Sequence, residues 1–293
     1  MDINKYSTKG KLSVASVNAV SDLEESDIYE VLWLAKNLKR RQTMKENLKD
    51  FEGRNVVIML GSKNSNMRIS FELAVGRLGG KTLYLSPTDD GFLSGLTYKD
   101  VMIAIGRYGA NGMIVKDDEK VETGLPVINL CGSVNICNVL ANLLTVWETT
   151  GRLSGIKMLA IGNGKNTDAN EVNVYHKCGV SITLACPKES QPDSEVIEKA
   201  SQFGDLVVGN DPYVFLPKKD IVSSVWGETD SICVTKEMMD CAPRAHYIHS
   251  LPVRHGEEVE EDVLYGERSL TFEQAENLIY VEQALMLLLF GNQ

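Results

Sequence analysis

Apolar residues recur along this chain in two alternating rhythms. At helical spacing stand Ile28, Val31, Leu32, Ala35 and Leu38, behind Ser21-Asp22-Leu23-Glu24, which reads as a capping box. Lys39-Arg40-Arg41 closes that helix, where cations meet the negative end of the helix dipole. The stretch 55–60, apolar from Val56 onward, then predicts a buried strand, and 66–78 a helix ending at Gly79-Gly80. The same alternation gives strand 81–85, helix 97–108 and strands 112–115 and 126–130. A long helix, 136–150, precedes a second round: strand 157–161, a helix to about 177, strand 180–185 and helix 194–203. Strands 206–208 and 221–225 follow, and His246-Tyr247-Ile248-His249-Ser250 leads to a last helix, 272–290.

Strands that alternate with helices imply parallel sheets covered on both faces, because each crossover helix must pack against the sheet it spans. The pattern starts afresh after residue 150, so the expectation is two parallel-sheet α/β domains. The first takes residues 1–132 together with the C-terminal helix 271–293, residues 133–150 form a linking helix, and 151–270 form the second domain.

Composition narrows the partners. The 293 residues include 30 Lys plus Arg and 40 Asp plus Glu, a net charge of −10, which argues against nucleic acid while leaving room for a local basic pocket. The longest apolar run, 284–290, is too short to span a bilayer, and the N-terminus lacks the apolar core of a signal peptide. The expectation is a cytoplasmic protein with no membrane partner. Six cysteines show no CxxC or Cys/His spacing, and His176, His246, His249 and His255 lack ligand spacing, so no metal is expected. The cysteines read as small buried hydrophobes, with disulfides possible but unforced.

Two stretches carry candidate chemistry. Gly162-Asn163-Gly164-Lys165-Asn166 lies between a strand and a helix, where exposed amides can hold a phosphate or dinucleotide. It does not complete GxGxxG, and no acidic residue ends the next strand, so a nicotinamide cofactor is the weaker reading and no cofactor is called for. The other stretch is Asn64-Ser65-Asn66-Met67-Arg68-Ile69-Ser70-Phe71-Glu72, followed by Leu78-Gly79-Gly80. It resembles the Ser-Thr-Arg-Thr-Arg-x-Ser-Phe-Glu of the aspartate/ornithine carbamoyltransferase family. His249-Ser250-Leu251-Pro252 resembles that family's His-Cys-Leu-Pro, with Gly256-Glu257-Glu258-Val259 typical of its ornithine and N-acylornithine branch. Ala275-Glu276-Asn277 is similar to the Ala-Glu-Asn of the final helix.

The resemblance implies two α/β domains of carbamoyltransferase type, joined by two helices. It also implies trimers, and transfer of a carbamoyl group from carbamoyl phosphate to an amino acid's amino group. Such a site binds a dianionic phosphate, polarises the carbamoyl carbonyl and aligns the amine. The matching positions are altered here. Asn66 stands where the family has the phosphate-gripping Arg, beside Met67 for Thr, and Asn135-Ile136-Cys137-Asn138 replaces His-Pro-x-Gln, so Asn135 takes the place of the carbonyl-polarising His. Leu278 replaces the Arg after Ala-Glu-Asn, and Ser250 replaces Cys. Lys116 keeps a positive charge at its place, although Asp117-Asp118-Glu119 equally suits a solvated, paired lysine. Arg68 remains, in a partly structural role.

On the amino-acid side, Asn166 matches an amide that contacts that substrate. By the resemblance, Ser224 stands for the Asp that meets the ornithine amine, with Glu228 or Asp230 as a substitute from a shifted loop. Losing one transition-state donor commonly costs about 10²–10³ in rate. Asn66, Asn135 and Leu278 alter three positions together. One reading is therefore a non-catalytic relative that binds a small polar ligand or an amino acid and assembles with itself. The other is an active transferase with a rebuilt site, suggested by Lys116, His249, Leu251 and Pro252.

Overall fold

The computed structural model describes residues 10–61, 65–86, 95–117, 121, 124–130, 135–225 and 232–291. Its chain forms two compact units, one of residues 3–140 with 277–293 and one of 141–276 with the first two residues. The chain passes from one unit to the other within two helices.

The first unit opens with α1 (Glu25–Thr43), whose buried face is Ile28, Val31, Leu32, Ala35 and Leu38. The expected capping box at Ser21 is not the one that forms. Asp22 instead accepts from the amides of Asn18 and Ala19 in a preceding 3-10 turn. Asp27 then accepts from the Glu24 amide, so the helix starts later than Ser21 would place it. After α1 come β1 (Asn55–Met59), α2 (Ser65–Arg77), β2 (Lys81–Tyr84), α3 (Tyr98–Arg107), β3 (Gly112–Val115), β4 (Val127–Asn129) and α4 (Ile136–Thr150). The strands pair in parallel in the order β2-β1-β3-β4, with Val56 opposite Thr82 on one side and Gly112 on the other. Central β1 and β3 are almost wholly buried, whereas edge strand β2 leaves Leu83 56% exposed. At the end of α2, Gly79 has φ +82°, and the Gly80 amide reaches back to the Val75 carbonyl. That left-handed closure suits glycine and turns the chain directly into β2.

The second unit contains β5 (Lys157–Gly162), α5 (Ala169–Lys177), β6 (Ser181–Ala185), α6 (Ser194–Ala200), β7 (Val207–Gly209), α7 (Pro212–Phe215) and β8 (Ile221–Val225). It continues with α8 (Lys236–Cys241), β9 (His246–Tyr247) and α9 (Glu261–Leu264), and its parallel sheet runs β7-β6-β5-β8-β9. The short elements α7, α8 and α9 have no counterpart in the sequence pattern, being too brief to show a period. Leu159, Ile161, Val222, Tyr247, Met238 and Leu264 belong to one core cluster. The last helix, α10 (Thr271–Phe290), begins in this unit and ends in the first.

In the first unit α10 is buried nearly all round, with Val281, Ala284, Leu285, Met286 and Phe290 at 0% exposure. Its end is closed by Arg54, whose guanidinium donates to the carbonyls of Phe290 (2.5 Å) and Gly291 (2.8 Å). These are carbonyls a helix leaves without partners. Gly112 lies under the Phe290 ring, where a Cβ would stand 2.5 Å from a ring carbon. Glu282 is fully buried in the same helix. Burial pushes its carboxyl well above the usual range, opposed by the hydrogen bond from Ser70 Oγ (2.7 Å). Burial thus favours the neutral carboxyl, and its bond with Ser70 joins α10 to α2.

Two outcomes follow from this packing. Gly112→Ala is expected to destabilise the chain by about 1–3 kcal/mol through overpacking. Phe290→Leu in the same chain should return much of that loss, measured by urea denaturation. Folding shifts the Glu282 carboxyl upward from the ordinary carboxylate range that it has when unfolded. Its stabilisation is thus complete below that range and is lost as pH rises toward the elevated folded value. Melts at about pH 5 and about pH 8 should show the wild-type chain losing more stability than Glu282→Gln, which has no such titration.

Candidate functional site

Each parallel sheet places the carboxyl ends of its strands, and the loops that follow them, along one edge. The candidate residues lie on such loops and on the helices they open, and each unit carries its own set.

In the first unit, α2 starts soon after β1. Ser65 and Asn66 are exposed on its first turn, Met67 is buried, and Arg68 is half-buried. Asn64 lies outside the described residues. Asn135 caps α4, its Oδ1 accepting from the Cys137 amide at 2.9 Å. Its Nδ2 donates to Met67 Sδ at 3.1 Å, a weak acceptor. The two altered positions thus meet each other. Asn138 follows on the first turn of α4, half-buried.

Arg68 is similarly engaged. Its Nε bonds Glu72 Oε1 at 2.8 Å, and its guanidinium lies 3.6 Å from the Tyr84 ring centroid. The Tyr84 hydroxyl in turn donates to the Leu60 carbonyl at 2.8 Å. Glu72 and Tyr84 therefore orient Arg68 along the surface of α2. Lys116 is exposed at the end of β3, where the next residue is fixed by a reciprocal pair: the Asp117 amide donates to Asn129 Oδ1, and Asn129 Nδ2 to the Asp117 carbonyl, both at 3.0 Å. Leu278 is half-buried on α10 beside buried Asn277, whose Oδ1 accepts from Lys39 Nζ at 2.7 Å.

In the second unit, the glycine turn proves to be a structural joint. Gly162 has φ +141°, and a Cβ there would stand 1.9 Å from the Val225 carbonyl oxygen. The Asn163 amide donates to that same carbonyl, and the Lys165 amide to Asn163 Oδ1. The Asn166 and Thr167 amides close the 3-10 turn on Asn163 and Gly164. With these donors turned inward, the phosphate-cradle reading of Gly162–Asn166 fails. Asn166 stays exposed on the turn.

The rest of this unit's set forms a connected cluster. Ser224, at the end of β8, has its Oγ 2.8 Å from the Tyr247 hydroxyl and 3.0 Å from the Glu258 carbonyl. His249 Nε2 is 3.5 Å from Glu258 Oε1, and Glu258 Oε2 accepts from the Arg254 amide at 2.5 Å. Burial pushes the Glu258 carboxyl up, but the bonds from His249 and the Arg254 amide outweigh it and hold it below the usual range. Ser250 Oγ accepts from Gln274 Nε2 at 3.1 Å, and exposed Leu251 precedes a cis proline. Glu228 and Asp230 lie outside the described residues. Glu258 and Tyr247 escaped the sequence reading. Glu258, at 3% exposure, follows an exposed Glu257, and it lies beside Val259, which bridges to both Val234 and His255. Among the described residues, no group of three or more His, Cys, Asp or Glu is placed to hold a metal ion. No described helix is long and apolar enough to cross a membrane.

Known proteins share both units. The carbamoyl-P binding domain of aspartate/ornithine carbamoyltransferases matches residues 16–148, and the Asp/Orn binding domain matches 154–289. The ornithine carbamoyltransferase of Anoxybacillus flavithermus is 30% identical over 295 residues, covering 91% of this chain and 94% of that protein. The solved ornithine carbamoyltransferase of Pyrococcus furiosus aligns with a TM-score of 0.86 at 27% identity, over 96% of this chain and 99% of that one. The catalytic subunit of M. jannaschii aspartate transcarbamoylase, at 20% identity, shares the fold with a TM-score of 0.84 over 95% of this chain and 99% of that one. With motifs, sheet order and whole-length similarity in agreement, the chain belongs to the aspartate/ornithine carbamoyltransferase family and is similar to its ornithine carbamoyltransferases.

Proposed function

We propose that this carbamoyltransferase-family chain has given up carbamoyl transfer and serves as a ligand-binding or regulatory homologue, with an amino acid or other small polar molecule as ligand. The observation that carries this reading is the double engagement of Asn135. Its carbonyl caps α4 and its amide meets Met67, so the side chain at the carbonyl-polarising position is committed to the scaffold. Arg68 points the same way, being tied to Glu72 and Tyr84. An uncharged Asn66 offers no bidentate grip on a phosphate. Asn side chains present both donors and acceptors without charge, which suits a neutral polar group.

A second reading, an active transferase with a rebuilt site, draws on His249. Its imidazole is held by the buried Glu258 carboxylate, an arrangement that can fix a ring for proton transfer. The proposal places the protein in the cytoplasm and makes it a homo-oligomer, a trimer by family resemblance. Supporting self-association, α2 exposes Ile69 (59%) and Leu73 (49%), and edge strand β2 exposes Leu83 and Tyr84.

Titration calorimetry with carbamoyl phosphate is expected to show no binding tighter than about millimolar, corresponding to roughly 4 kcal/mol. Joint restoration of Asn66→Arg, Met67→Thr and Asn135→His should bring measurable affinity. Micromolar binding by the unaltered chain, or a carbamoylated product from an amino-acid panel, would establish the transferase instead. In sedimentation velocity the chain should run as a trimer, and Leu83→Lys should shift it toward monomer. A monomeric parent chain would remove the assembly from the proposal.

A further inference from the structure

One lysine of the second unit has surroundings unlike those of its surface lysines. Lys219 follows the 3-10 turn Leu216–Lys218 and leads into β8. It is half-buried, and its Nζ donates to Oγ1 of buried Thr183 at 2.5 Å. The Phe215 ring centroid lies 5.9 Å from the same nitrogen. That ring is seated on Gly209, where a Cβ would come within 2.5 Å of it, so the aromatic wall is fixed by close packing. No carboxylate among the described residues lies within 4.0 Å of Nζ. The charged groups that act on it are Lys157 and Asp220, and the Asp220 carboxylate accepts from the Lys157 amide at 2.9 Å. Burial pushes the Lys219 ammonium down to about 8, with Lys157 adding to the effect and Asp220 opposing it.

We infer that Lys219 is an acylation site, taking a small acyl group from an acyl phosphate in solution. The neutral Nζ attacks the acyl carbon, and the bond from that carbon to the bridging oxygen breaks. Phosphate leaves with the electron pair, and the proton displaced from nitrogen passes to water. The resulting amide keeps one N–H for Thr183 Oγ1, and the enclosure no longer holds a charge. The contrast within the chain is Lys199, which is exposed and paired with Glu195 at 2.7 Å, a contact that favours its charged form. At about pH 7.5, roughly a quarter of amines titrating near 8 are neutral, against about 0.1% of ordinary lysines. This site does not depend on whether the carbamoyl site works.

The test is acylation of the full folded chain by acetyl phosphate, followed by peptide mass spectrometry over time. Lys219 is expected to react at least about tenfold faster than Lys199, less than the neutral fractions alone imply because a weaker base attacks more slowly. Its rate should level off with a midpoint near pH 8, whereas that of Lys199 should keep rising. Phe215→Ala, which admits water, should bring the two rates within about threefold. Equal or slower reaction at Lys219, or a Lys219 rate that rises without levelling, overturns the inference even if Phe215→Ala fails to fold.

Discussion

Parallel pairing is the constraint on which the rest of the structure depends. Consecutive parallel strands cannot be joined by a tight turn, so a crossover must carry the chain back, and every strand delivers its carboxyl end to the same edge. In the first unit that puts the start of α2 and Lys116 at one edge of the sheet β2-β1-β3-β4. In the second it sets the glycine turn beside the end of β8, close enough for the Asn163 amide to bond the Val225 carbonyl. The candidate positions are therefore inherited with the fold. What those positions can do is a separate matter, decided by the side chains present.

Three of those side chains, Asn135, Arg68 and Ser224, bond to neighbouring residues of the scaffold, while Ser65, Asn66, Lys116 and Asn166 are exposed. The Asn135 carboxamide caps a helix and meets a sulfur, and the Arg68 guanidinium, stacked on Tyr84 and bonded to Glu72, is oriented by the protein itself. Ser224 follows the same rule, its hydroxyl shared between Tyr247 and the Glu258 carbonyl. A buried polar atom must find a partner, and at Ser224 neighbouring residues supply it. His249 differs, because its partner is a buried carboxylate that fixes the ring.

The amino-acid pattern made the long elements legible. Helix 136–150 matches α4 at both ends, and the buried strands emerged within about a residue, since a continuous apolar run leaves few alternatives. Helices of four to six residues, such as α9 and α8, have no period to read. The cap of α1 escaped because acidic residues stand at both candidate third positions, and Asp27, accepting from the Glu24 amide, closes the box in place of Glu24. At the sites, residue types revealed which groups had changed but not what had become of them. That Asn135 would turn to Met67, or that Glu258 rather than Glu257 would be buried, depends on contacts between residues far apart in sequence. The Gly162–Asn166 turn misled because glycine serves close packing as readily as phosphate binding.

The junction of Gly112 with Phe290 has a bearing on how the chain is made. The first sheet to leave the ribosome lacks its packed helix until residues 277–290 have been synthesised, whereas nearly all of the second unit precedes them. Domains fold as units once their residues are available, so the order of completion runs against the order of synthesis. Until α10 arrives, the nascent first unit lacks the packing partner of the surface around Gly112.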